Sequence, residues 1–75
     1  MVLSDAKNGD TLTIVCFEGG RKLNQKLVSM GIYKGSQLTV VSNQGQGPMV
    51  ISVLDSRLAL GRGIASKITV NSQNS

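Results

Sequence analysis

Cys16 is the only thiol in these 75 residues, and the chain contains no histidine. Those two facts remove most of the chemistry that side chains perform. Without histidine, the commonest general base and the commonest metal ligand are both missing. One cysteine can form neither an internal disulfide nor a structural zinc site, which takes about four ligands. The four carboxylates are Asp5, Asp10, Glu18 and Asp55. They fall at turns and strand ends, with no spacing that makes a hard-cation loop or a catalytic pair. Cys16 has no neighbouring base to activate it and reads as a small, inward, buried apolar residue. The segments Gln44-Gly45-Gln46-Gly47-Pro48 and Gly61-Arg62-Gly63 contain glycines but lack the lysine and Ser/Thr that follow a phosphate-binding loop, so they read as turns. The chain is therefore expected to have no catalytic residue, no metal ligand set and no cofactor. It reads as a binding module and not an enzyme.

Binding needs a surface, and a few residues offer one. In the strand reading below, Val15, Phe17, Val41, Val50 and Leu54 point outward. Val28 lies about 140° around a helix from Leu23, off its apolar stripe. Tyr33 stands in the loop that follows. Gathered together, such residues make a protein contact patch. The net charge is +4, from eight Lys and Arg against four Asp and Glu. A mild positive field also suits nucleic acid, so a basic small barrel on RNA or DNA phosphates is the alternative reading. Against it, single-strand binding needs aromatic platforms, and Phe17 and Tyr33 are the only aromatics.

The elements that must position these residues follow from periodicity. Asn8-Gly9-Asp10 is a turn signal, and the strand after it places Leu12, Ile14 and Cys16 on one side. Gly19-Gly20 ends that strand and opens a helix over about residues 21–30. Leu23, Leu27 and Met30 share one face of it, and Gly31 suits a left-handed C-cap with Ile32 reaching back beyond it. Further strands are expected over about 36–42, 49–54, 57–60 and 67–71. The loop 43–48 joins two of them as a hairpin, Asp55-Ser56 makes the next turn, and residues 61–66 hold a single helical turn.

Seventy-five residues leave room for one core and not two, and 40% hydrophobic residues suffice for it, with charged residues at only 16%. Five short alternating strands bury little unless the sheet curls on itself, and closure also removes exposed edges. The expected fold is all-β: a small SH3-like barrel of about five strands, with one inserted helix and a short helical turn before the last strand. The domain is expected over residues 1–71, with 72–75 a polar, disordered tail. No apolar run approaches the about 20 residues that span a bilayer, and no secretion signal precedes the first strand. A lone thiol fits a reducing compartment, so the location reads as cytoplasmic.

The run Lys26-Leu27-Val28-Ser29-Met30-Gly31-Ile32-Tyr33-Lys34-Gly35, then Gly47-Pro48, then Leu58-Ala59-Leu60-Gly61, Ala65 and Ile68-Thr69-Val70, resembles the FeoA family. The likeness spans Leu3 to Val70, and it is the order and spacing of these short pieces that carries it. The same SH3-like module is found behind some metal-dependent repressors. The resemblance implies an accessory role: binding the ferrous iron transporter FeoB, on its cytosolic GTPase side, and supporting or regulating Fe(II) uptake. It implies recruitment to the inner face of the membrane through that partner, with no small-molecule substrate. It does not imply that this chain itself holds iron or nucleotide. The chain is expected to be a monomer or weakly self-associating. One departure is visible, for Lys34 stands where many relatives have proline. Val28, Tyr33, Lys34, Gly61, Arg62 and Gly63 are the expected partner-binding residues, chosen because loops on small scaffolds present function.

Overall fold

Alternating apolar and polar residues form five strands in this chain: β1 (Thr11–Phe17), β2 (Gln37–Ser42), β3 (Met49–Val53), β4 (Ser56–Leu60) and β5 (Ile68–Ser72). The structure, a computed structural model, describes residues 1–72. A ten-residue helix, α1 (Gly20–Ser29), follows β1, and a single turn, α2 (Arg62–Ala65), precedes β5. A 3-10 turn, Leu3–Asp5, lies ahead of β1. The strands form one antiparallel sheet in the order β4-β3-β2-β1-β5. Its inner face buries Leu12, Ile14, Leu38, Val40, Met49 and Ile51, joined by Ile68 and Val70. Leu27 from α1, Ile32 after it, and Leu3 and Ala65 close the same core. This is the expected curled sheet with one inserted helix.

The chain start reinforces the β5 edge. Met1 and Val70 exchange backbone hydrogen bonds, with Val70 N donating to Met1 O at 2.7 Å. Val2 forms an isolated antiparallel bridge with Thr69. β5 runs through Ser72, one residue into the segment read as a tail; the remainder of that tail lies outside the described residues.

The helix ends as its sequence requires. Gly31 has φ +86°, a left-handed conformation that costs glycine least. Its N–H donates to Val28 O at 3.0 Å, and the Ile32 N–H donates to Leu27 O at 2.9 Å. That pair of bonds is a Schellman cap, and its apolar partners Leu27 and Ile32 are both fully buried. The cap turns the chain out of the helix and delivers Tyr33 to the surface.

Two bulges alter the strand reading. On β1, Ile14 is opposite Val70 but Cys16 is opposite Thr69, so Val15 is an extra residue. A one-residue shift exchanges the two faces of a strand. Phe17 is therefore opposite buried Ile68 and packs against the core, where an outward residue was expected. Cys16, expected inward and buried, is only half-buried for the same reason. On β2, Val41 is the extra residue between Val40 opposite Ile51 and Ser42 opposite Val50. Val15 and Val41 are exposed, as read, whereas Val50 is half-buried.

Candidate docking surface

Tyr33 begins a turn that the sequence specifies. Ser36 N donates to Tyr33 O at 3.1 Å, and Gly35, the third residue of the turn, has φ +85°. A glycine with positive φ at that position is the type II signature, and the residue before it is the one proline favours. Lys34 occupies that place. Two further bonds anchor the turn to β1: Gly35 N donates to Ile14 O at 2.8 Å, and Ile14 N donates to Ser36 O at 2.9 Å. Tyr33 is thus held on a rigid turn with its side chain 49% exposed.

Opposite it stands the β3–β4 hairpin. Val53 is opposite Ser56, so the connection is only Leu54-Asp55, one residue earlier than the expected Asp55-Ser56 turn. Leu54 has φ +55°, the one non-glycine residue with positive φ among the described residues. A left-handed leucine costs about 1–2 kcal/mol, and two-residue hairpins normally place Gly or Asn there. The same leucine is 86% exposed. Strain of this kind persists where the surroundings impose it and is a pointer to function.

Between these two residues lies an open groove of about 580 Å³. Leu38, Val53, Thr11, Thr39 and Ser52 are among the residues that line it. The register relates the hydroxyl residues. Thr11 is opposite Thr39, Thr39 opposite Ser52, and Ser52 opposite Arg57, so the four make one continuous row across the outer face. The Thr11 and Thr39 hydroxyl oxygens lie 3.5 Å apart. Arg57, exposed, is the next residue of the row beyond Ser52 and lies outside the groove lining.

The residues chosen from sequence do not form one site. Tyr33 lines the groove, Lys34 is exposed beside it, and Val28 is 45% exposed on α1. Gly61-Arg62-Gly63 follows β4 where Leu60 is opposite Met49, at the end of β3 away from Leu54. Arg62 is occupied there. Its guanidinium donates to the Asn43 side-chain oxygen and to Ser4 O. The Asn43 side-chain amide donates to Ser4 O at 3.1 Å and Ala6 O at 2.6 Å, and its oxygen also accepts the Gly45 N–H. Arg62 and Asn43 together clamp the 3-10 turn, the β2–β3 loop and α2 to one another. Leu54 was read as an outward apolar residue without being chosen as a contact, and Arg57 was not chosen either. The detectable signal was an apolar residue directly before Asp55 between two strand patterns; the hydroxyl row needs the strand order to be seen.

Among the described residues, no group of three or more His, Cys, Asp or Glu side chains converges to hold a metal ion, and no helix is long and apolar enough to cross a membrane. α1 exposes Arg21, Lys22 and Lys26, and its first turn carries no acidic residue.

Comparison with known proteins decides the relationship. A sequence profile for the FeoA domain matches residues 1–72. The chain belongs to the FeoA family. It is 46% identical over 68 residues to a protein of Methanocaldococcus jannaschii that carries the provisional name Fe(2+) transport protein A, covering 91% of this chain and 82% of that one. Among solved structures, a crystal structure of an iron uptake regulatory protein, FeoA, aligns with a TM-score of 0.91 at 38% identity over 96% of each chain. Stenotrophomonas maltophilia FeoA, solved with zinc and described as a prokaryotic SH3 domain protein, aligns at 0.82 with 21% identity, covering 95% of this chain and 89% of that one. At that identity it speaks for the fold, and the fold of this FeoA-family chain is SH3-like.

Proposed function

We propose that this chain is a non-enzymatic cytoplasmic accessory protein that docks on the ferrous iron transporter FeoB and supports or regulates Fe(II) uptake. The observation that carries this reading is the FeoA-domain match along residues 1–72. The iron-transport name of the 46% identical relative points the same way. Docking is further supported by the exposure of Tyr33, Leu54 and Val28. Tyr33, Lys34 and Val28 are proposed as contact residues. Gly61-Arg62-Gly63 is assigned to the clamp with Asn43, because its guanidinium is spent inside the molecule. The nucleic-acid alternative loses support here. Phe17 packs against the core, which leaves Tyr33 alone and no stacking platform for successive bases.

The test is genetic and biochemical together. Deleting the gene for this chain should lower uptake of radiolabelled Fe(II) in cells that rely on their FeoB, and the chain should co-purify with FeoB in detergent. Unchanged uptake together with no co-purification contradicts the proposal.

A further inference from the structure

The groove beside Leu54 has a chemistry specific enough to name what fills it. Three hydroxyl residues, Thr11, Thr39 and Ser52, line it in one cross-strand row, and Arg57 is the next residue of that row. Arg57 has no ion-pair partner among the described residues. Asp10, which precedes Thr11, is turned to its own loop and accepts the Lys7 N–H at 2.9 Å. Asp55 is the one other carboxylate on the flanking turns. Hydroxyl donors beside a free guanidinium suit a carboxylate, which accepts from both at once. The walls call for something different. Tyr33 and Leu54 are large, exposed, and both line the groove. An inorganic or nucleic-acid phosphate has no use for the strained leucine, whereas an apolar side chain seated between the two walls does. A second copy of this chain meeting the face about a twofold axis would press together two faces that each carry Lys34 and Arg57, a like-charge arrangement.

We propose that this groove takes a short segment of the transporter polypeptide bearing a carboxylate next to an apolar side chain. The carboxylate meets Arg57 and the hydroxyl row, and the apolar side chain fills the space between Tyr33 and Leu54. This rests on the docking reading above and specifies the contact.

The test measures binding of the full chain to detergent-solubilised, full-length FeoB of the same organism. Wild type is compared with Leu54→Gly, Arg57→Ser and, as a remote charge control, Lys67→Ser. Glycine accepts positive φ freely, so Leu54→Gly removes the side chain while easing the backbone. The expected result is a loss of about tenfold or more for Leu54→Gly, with a thermal midpoint no lower than wild type. Arg57→Ser should lose about three- to tenfold and show a flatter dependence on salt. Lys67→Ser should bind within about twofold of wild type, since rim charges remote from a contact contribute little. Wild-type binding that neither Leu54→Gly nor Arg57→Ser weakens overturns the groove assignment and leaves the docking reading standing. Wild type that fails to bind FeoB overturns both, and so does a chain that binds mixed-sequence single-stranded RNA in its place.

Discussion

Leu54 carries two costs in one residue: a left-handed backbone and a side chain left almost wholly in water. Replacing it with glycine should raise stability by about 0.5–1 kcal/mol, the relief of the left-handed conformation less the extra chain entropy of glycine. Urea denaturation reads this directly, and a loss of stability would mean that the leucine packs in the fold. Asn43 is the opposite case, a residue whose every contact is internal. Its amide serves Ser4 O and Ala6 O while its oxygen serves Gly45 and Arg62. Asn43→Ala strands those carbonyls and the half-buried Arg62 guanidinium, and should cost about 2–3 kcal/mol by the same measurement. Tyr33 was legible in the sequence as an aromatic in a loop. The role of Arg62 was not, because its partners lie 19 and 58 residues away along the chain.

The helix and its exit are where local sequence governed most completely. The i, i+4, i+7 stripe, the glycine cap and Ile32 after it were all readable, since each depends on neighbours within two turns. Leu27 is fully buried at the centre of that packing, and Leu27→Ala should cost about 2–5 kcal/mol, enough to unfold much of a domain this small at ordinary temperatures. The turn after the helix makes a second prediction. Lys34 sits at the proline-favouring position of a turn closed by the Ser36 N–H and the Tyr33 carbonyl. Lys34→Pro should therefore raise stability by about 0.4–1 kcal/mol through the unfolded chain, observable as a higher urea midpoint at unchanged m-value. A fall would mean that the Lys34 backbone is not free to accept the ring. The strands were less legible than the helix. Strict alternation assumes no extra residue, and the bulges at Val15 and Val41 each break it. That is why Cys16 and Phe17 exchanged faces while Leu12 and Ile14, ahead of the bulge, did not.

At the scale of the whole molecule, the two ends of the β2–β3 ladder do different work. At one end Asn43 and Arg62 hold the loops and α2 together through internal hydrogen bonds, with only the Arg62 Nε left without a partner among the buried side-chain polar atoms of the described residues. At the other, Tyr33 and Leu54 leave apolar surface uncovered around a hydroxyl row. A fold stabilised at one end and exposed at the other fits a module that keeps its shape while one edge engages a partner. The most direct test is an amide-resolved NMR titration of this chain with full-length FeoB of the same organism in detergent. The account predicts shifts and line broadening centred on Tyr33, Thr39, Ser52, Leu54 and Arg57, with Asn43, Arg62 and their neighbours unmoved. Perturbations centred on Gly61-Arg62-Gly63, or a spectrum unchanged at saturating FeoB, would contradict it.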